Sequence, residues 1–142
     1  SPSDAVRWLA AEMGVKAGDG YRPPHSKDGG VDVVAWRPFP DGRSGFPVLL
    51  VQCTVERNYA HKANDIETRV WSGWLNVDVY PQTALAIPDV VPAGEVWNRL
   101  AAKTIILDRV RLASLVKVGA PGFEEAVQAW TSEALDRVRE AQ

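Results

Sequence analysis

The chain has 142 residues, of which 46% are hydrophobic, and its formal net charge is −2 at pH 7. A chain of this length can bury one substantial core, so we expect a single domain over residues 1–142. The small negative charge excludes a globally basic protein, so any contacts with phosphate must come from a local patch.

The cysteine content and the hydropathy pattern limit the cellular compartments in which we expect the protein. The single cysteine, Cys53, excludes an internal disulfide framework and a cysteine-rich zinc site, and it fits a reducing cytoplasm. No apolar run approaches the ~20 residues that cross a bilayer, and no signal-peptide pattern opens the chain. The chain starts at Ser1, and its only methionine is Met13. We therefore expect a cytoplasmic domain, without membrane contact, that was cut from a longer protein.

The first third of the chain predicts a helix, a loop and a strand. Ser3 can cap a helix that Gly14 ends, with an apolar stripe of Val6, Leu9, Ala10 and Met13. Trp8 could pack beside this stripe. Residues 16–30 are rich in Gly, Pro, Asp and Lys, which is typical of a loop. Residues 31–36 and 48–55 then predict two strands that form an antiparallel hairpin with a long connection.

The period of the apolar residues changes after Asn58. A helix is predicted from near His61, with Ile66, Val70, Trp74 and Val77 on one stripe. Residues 83–87 and 104–107 predict a third and a fourth strand, with a helical turn over residues 95–102 between them. Asp108 can cap a short helix, and a last amphipathic helix covers residues 123–138, with Trp130 on its apolar side. This order predicts an α/β fold with a mixed central sheet flanked by helices.

Polar side chains capable of chemistry concentrate between residues 27 and 62. Gly29 and Gly30 precede Asp32 in the first strand, and alternation along the second strand places Gln52 and Thr54 on one face. In an otherwise apolar strand, such a polar pair needs partners or water. A carboxylate beside an amide oxygen can hold a divalent cation, which could activate water and stabilise charge on a phosphate.

These motifs resemble the PD-(D/E)XK nuclease superfamily, and within it the Mrr-like branch. That branch has a glycine-rich approach to an aspartate and then a strand with Gln-x-Lys, and Asp32 and Gln52 match the aspartate and the glutamine. Residues 104–108, with Leu112 and Leu115, also resemble the final strand and helix of the branch, so the likeness covers roughly residues 3–118. It implies a restriction-endonuclease-like fold and Mg²⁺ or Mn²⁺ held by Asp32 and Gln52. It also implies hydrolysis of DNA in a restriction or phage-defence system.

One position departs from the family pattern. Thr54 stands where the family has its lysine, and threonine cannot supply the positive charge that stabilises the phosphate during attack. We favour a relocated lysine, Lys62, over a dead site, since some members of the superfamily place this lysine on a neighbouring helix. The alternatives are a catalytically inactive DNA-binding module and a protein-docking domain, for which an exposed Trp71 or Trp97 would be the sign.

Basic residues around the proposed site could form the local phosphate patch that the net charge does not reveal. The candidates are Lys27, Arg57, His61 and Arg69, each of which could equally be an ordinary solvated side chain. Besides DNA, the expected partners are further domains of the same polypeptide, partner subunits or a second copy of the chain.

Overall fold

The computed structural model describes residues 2–20, 29–115 and 125. The chain divides into two compact units, Ser1–Leu112 and Ala113–Gln142. The predicted last helix over residues 123–138, which includes Trp130, lies outside the described residues apart from one position. The single domain over residues 1–142 stays a prediction.

Four strands form one mixed sheet in the order β1-β2-β3-β4. The strands are β1 Val33–Trp36, β2 Val48–Cys53, β3 Gln82–Ala86 and β4 Ile105–Leu107. β1 pairs with β2 antiparallel, and β2, β3 and β4 pair in parallel. The α/β class, the mixed sheet and the antiparallel hairpin are therefore confirmed. Parallel neighbours require crossover connections, and helices supply them between β2 and β3 and between β3 and β4.

In the described part of the chain, four α-helices and one 3₁₀ helix accompany the sheet. They are α1 Pro2–Met13, the 3₁₀ helix Tyr59–Asn64, α2 Thr68–Trp74, α3 Glu95–Ala101 and α4 Arg109–Leu115. Among the described residues, no helix is both long and apolar enough to cross a membrane.

The single helix predicted to start near His61 is wrong, because two separate helices occupy this stretch, and Ile66 and Val77 of the predicted stripe lie outside both. The 3₁₀ helix ends at Asn64, and α2 begins at Thr68. Between them the backbone N–H of Glu67 donates to the carbonyl of Gly29 at 3.3 Å, and a continuous α-helix would have used this donor within itself. A contact with a distant segment thus interrupts a helix that the periodicity alone predicts to be continuous.

Local signals set the end of α1 and the start of α4. The predicted cap of α1 is wrong, because Ser3 lies inside the helix, which begins at Pro2. Gly14 follows α1 with a φ of 69°, a left-handed conformation that glycine adopts without steric cost. Asp108 precedes α4, and its Oδ1 accepts the backbone N–H of Arg111 at 3.0 Å. This bond satisfies one of the free donors of the first turn and confirms the predicted cap.

The hydrophobic core lies on the face of the sheet that carries Leu50, Leu85 and Ile106. One cluster packs α1 and α2 against β2, and a second packs α3 and the 3₁₀ helix against β3 and β4. Trp74 is buried as predicted, whereas 64% of Trp8 is exposed, so Trp8 does not bury itself beside the stripe of α1.

Candidate functional site

Asp32 lies in a bend just before β1 and is hydrogen-bonded to the two residues of β2 that flank Gln52, Val51 and Cys53. Val33, the first residue of β1, pairs with Val51 in the antiparallel ladder. The Asp32 backbone N–H donates to the Val51 carbonyl at 2.9 Å and extends the pairing beyond the end of β1. Asp32 and Gln52 lie at the edge where the parallel strands β2, β3 and β4 end, and α/β folds commonly bind ligands at that edge.

The carboxylate of Asp32 is held in place from β2. Its Oδ2 accepts the backbone N–H of Cys53 at 2.6 Å. A carboxylate is a strong acceptor, and this bond restricts the rotation of the side chain. Asp32 is nevertheless exposed, so its carboxylate is accessible to an ion from solvent.

The thiol of Cys53 is a poor nucleophile in this setting. Partial burial, and after it the negative charge of Asp32, raises the pKa of the Cys53 thiol above its ordinary value of 9.0. Near neutral pH the thiol therefore stays protonated, whereas a nucleophilic cysteine needs the thiolate. Cysteine-based covalent catalysis is not supported at this site.

The side chain of Gln52 carries a buried acceptor in need of a partner. Only 8% of the residue is exposed, and no group in the described part of the chain donates to its Oε1. A buried polar atom without a partner costs free energy, of the order of 1–3 kcal/mol. An amide oxygen is a normal ligand of hard divalent cations, so the chemistry of the orphaned Oε1 and that of the Asp32 carboxylate both suit such an ion.

The ligand set has a low charge. Within the described ranges, no group of three or more His, Cys, Asp and Glu side chains could hold a metal ion. Asp32 would supply the negative charge, and Gln52 is neutral. Mg²⁺ often binds through one or two carboxylates and completes its shell with water and substrate phosphate. Binding to the free protein would therefore be weak and would tighten with substrate.

The two glycines before Asp32 allow a close approach between segments. Gly29 and Gly30 have φ values of 64° and 76°, which other residues rarely adopt. A Cβ on Gly30 would overlap with the carbonyl oxygen of Asp65, and one on Gly29 would lie 2.8 Å from Nε1 of Trp71. The connection that contains Asp65 thus packs directly against the backbone that leads to Asp32.

Lys62 lies on the 3₁₀ helix just before this connection, and two carboxylates pair with it. Its Nζ lies 3.3 Å from Oδ2 of Asp65 and 3.5 Å from Oε1 of Glu56. The hydrogen bond to Asp65, and then the charge of Glu56, raise the pKa of the Lys62 ammonium above its ordinary value of 10.5. The side chain is 24% exposed and is therefore partly enclosed. The raised pKa keeps the ammonium fully cationic near neutral pH.

Thr54 has a local structural role. It follows the last residue of β2, and its backbone N–H donates to the Ala86 carbonyl at 3.0 Å. Its hydroxyl accepts the backbone N–H of Glu56 at 3.2 Å, a short-range bond typical of a turn after a strand. This contact ends β2 two residues earlier than the predicted limit at Val55.

The structure describes three of the four basic residues that are weaker candidates for nucleic-acid binding. Arg57, His61 and Arg69 are all exposed. His61 lies 3.5 Å from Glu56, the same carboxylate that contacts Lys62. Lys27 lies outside the described residues. The basic patch around the site stays a prediction.

Sequence reasoning missed Glu56 and Asp65 as partners of Lys62. Asp65 lies three residues after Lys62, a spacing at which side chains on a helix meet, so the pairing could have been anticipated. Glu56 had no comparable signal, because its contact depends on the path of the chain after β2.

Comparison of the chain with protein-family models, curated proteins and solved structures finds no significant match. The interpretation of the site therefore depends on its residues and their geometry.

Proposed function

We propose that the chain is a metal-dependent nuclease domain that hydrolyses phosphodiester bonds, with Asp32, Gln52 and Lys62 as its working residues. The observation that supports this most is the pair of hydrogen bonds from Asp32 to Val51 and Cys53, the neighbours of Gln52, whose buried Oε1 has no donor among the described residues. A buried acceptor beside an accessible carboxylate is costly in a purely structural site, but it suits a cation site.

Asp32 and Gln52 would hold Mg²⁺ or Mn²⁺ through the carboxylate and the amide oxygen. When bound, such an ion lowers the pKa of water and offsets negative charge on a phosphate. The hydrogen bond from Cys53 keeps the Asp32 carboxylate oriented and leaves its second oxygen for a ligand. The protein's part is thus to present one charged and one neutral oxygen ligand in fixed positions.

Lys62 would stabilise negative charge on the phosphate that is attacked. Because Glu56 and Asp65 raise its pKa, Lys62 is an electrostatic donor and not a general base. The same two carboxylates restrict the rotation of its long side chain. The contact between Gly30 and the Asp65 carbonyl would keep the lysine-bearing segment beside the approach to Asp32.

The finer parts of the proposal come from the motif resemblance. The restriction-endonuclease-like fold, DNA as substrate and a restriction or phage-defence role are implied by the resemblance of the Gly-Gly-x-Asp and Gln-x-Thr motifs at residues 29–32 and 52–54 to the PD-(D/E)XK superfamily. The cytoplasmic location is proposed from the single cysteine. The four-stranded mixed sheet is compatible with this fold class, although a fold by itself does not determine a function.

An inactive nuclease-like DNA-binding module is the second candidate. Thr54 supplies no charge, and Lys62 is already paired with two carboxylates, which reduces its attraction for phosphate. A protein-docking role receives less support, because Trp71 is 7% exposed and Trp97 is partly buried against the second core cluster.

The deciding experiment is the nicking of supercoiled plasmid with Mg²⁺ or Mn²⁺, compared with EDTA. We expect metal-dependent nicking that Asp32→Ala abolishes. Asp41→Ala is the matched control, since Asp41 is an acidic residue in the β1–β2 connection that pairs with Arg43 at 3.3 Å. Equal cleavage by Asp32→Ala and the parent chain would disprove the site. DNA binding without cleavage in either metal would favour the inactive module.

A further inference from the structure

A cleft of about 310 Å³ opens between α1 and the segment that leads into β1, and Asp32 forms part of its wall. Three tryptophans, Trp8, Trp36 and Trp71, line it together with aliphatic side chains such as Leu9 and Val34. Half of the six tryptophans of the chain thus line the same cleft as Asp32, the acidic residue of the candidate site. A cleft of this size is within the range of small-molecule sites.

We propose that this cleft, here called the tryptophan cleft, holds an unpaired nucleobase of the nucleic acid whose phosphate lies at Asp32 and Gln52. The inference extends the proposed function and rests on it. It defines the substrate as single-stranded or locally opened nucleic acid, because a base stacked within a duplex has no free face to offer.

The chemistry of the lining favours a base over a phosphate. None of the described residues that line the cleft is a lysine or an arginine, so an anionic group would find no counter-charge there. Flat aromatic surfaces bind bases by stacking, with little dependence on sequence. Trp8 is 64% exposed and so presents ring surface to solvent, while Trp71, at 7%, lies deep in the wall.

The position of the cleft links it to the cation site. Asp32 lines the cleft, and its carboxylate is also the charged ligand of the proposed cation site. In a nucleotide the base and the phosphate are joined through one sugar, so adjacent subsites for the two are what a nucleotide requires. Trp36, on β1, and Asp32, just before β1, both line the cleft.

An organic ammonium ion is the competing occupant, because tryptophan faces beside a carboxylate also attract cations. Under the proposed function a divalent cation neutralises Asp32. What remains is a neutral aromatic wall, which suits a base better than an ammonium group. The competing occupant therefore enters the test as an outcome that overturns the proposal.

The test measures binding of a fluorescently labelled oligonucleotide to the full chain by anisotropy, with Ca²⁺ in place of Mg²⁺. We expect tighter binding of the single strand than of the duplex. Trp8→Ala should weaken single-strand binding about tenfold, and Trp8→Phe should retain much of the affinity. Tyr80→Ala is the matched control, since Tyr80 is 61% exposed but does not line the cleft. An oligonucleotide with abasic sites should bind the parent chain and Trp8→Ala equally.

Three results would overturn the proposal: unchanged binding by Trp8→Ala, an equal loss with the abasic strand, or displacement of the strand by tetramethylammonium but not by sodium at equal ionic strength.

The experiments distinguish a failure of the base site from a failure of the nuclease assignment. If Asp32→Ala abolishes cleavage while Trp8→Ala binds normally, the base site is wrong and the nuclease stands. If Trp8 matters for binding but no metal supports cleavage, the nuclease assignment is wrong and the base site stands.

Discussion

The Asp32 carboxylate accepts a 2.6 Å hydrogen bond from the backbone N–H of Cys53, the residue next to Gln52. At the end of β2, the side chain of Asp32 thus accepts a hydrogen bond that a backbone carbonyl accepts within a regular strand pair. The bond places a negative charge near a thiol, so Cys53 reports on the electrostatic state of Asp32.

Alkylation of Cys53 should therefore respond to Asp32 and to metal. The thiolate is the reactive form, so the iodoacetamide rate should reach half its maximum only above pH 9.0. Asp32→Asn removes the charge that raises the pKa, so it should speed alkylation at a given lower pH. Mg²⁺ at Asp32 would have the same effect in the parent chain and none in Asp32→Asn. The rates are measured by mass spectrometry.

Asp41→Asn is the control for this measurement, and it should behave like the parent chain. If Mg²⁺ accelerates alkylation equally in the parent chain and in Asp32→Asn, the ion does not act through Asp32. The cation site would then be elsewhere.

Replacing Gln52 with methionine should separate stability from metal binding. Gln52→Met removes a buried acceptor without a described donor, so the free energy of unfolding should stay unchanged or rise by about 1–2 kcal/mol. The stabilisation that Mg²⁺ confers on the parent chain should disappear. Urea denaturation with and without Mg²⁺ measures both quantities.

Leu50→Ala provides the contrast, since Leu50 is fully buried on the same strand, and truncation should cost about 2–5 kcal/mol. A loss of stability in Gln52→Met as large as that in Leu50→Ala would show that the amide has a structural partner. It would argue against the cation site.

Lys62→Ala should reduce cleavage by ~10²–10³-fold, the usual effect of losing one electrostatic donor. Lys62→Arg should restore little, because a planar guanidinium does not reproduce a compact ammonium. Thr54→Lys in the Lys62→Ala background should recover part of the activity if a lysine side chain at position 54 can reach the same phosphate. Initial rates of plasmid nicking measure each variant.

Lys103→Ala is the matched control, because Lys103 also contacts the 3₁₀ helix, through a 3.3 Å bond to Oδ1 of Asn64. Full activity of Lys62→Ala would exclude the relocated lysine.

The raised pKa of Lys62 also determines the pH range in which its ion pairs contribute to stability. The ion pairs of Lys62 help stabilise the fold below pH 10.5, and deprotonation of Lys62 removes their contribution only as the pH rises through its raised pKa.

Gly30→Ala should destabilise the fold more than Gly42→Ala does. Both glycines have left-handed φ values, 76° and 67°, so each substitution carries a conformational cost of about 1–2 kcal/mol. A Cβ at Gly42 meets nothing within 4 Å, whereas one at Gly30 overlaps with the Asp65 carbonyl, which adds roughly 1–3 kcal/mol. Urea denaturation measures the difference, and equal losses would contradict the close packing of these segments.

Much of the secondary structure follows from rules that act over a few residues. The apolar stripe from Val6 to Met13 and the glycine after it predict α1. Alternating apolar residues predict β1 and β2, and Asp108 predicts the start of α4. The antiparallel pairing of β1 with β2 could be predicted in advance, because a hairpin has few possible registers once one face is buried.

What the sequence by itself determined, then, is the order of the strands, the antiparallel pairing of β1 with β2 and the start of α4. Only the tertiary structure decided that the helix after β2 breaks before Thr68, that Glu56 contacts Lys62, and that Trp71 is buried. The break follows from a bond between Glu67 and Gly29, segments far apart along the chain. Periodicity and capping signals describe neighbours within one turn or one strand. They contain no information about which distant segment will accept a hydrogen bond from a backbone N–H, as Gly29 does from Glu67, or will bury an aromatic ring such as that of Trp71.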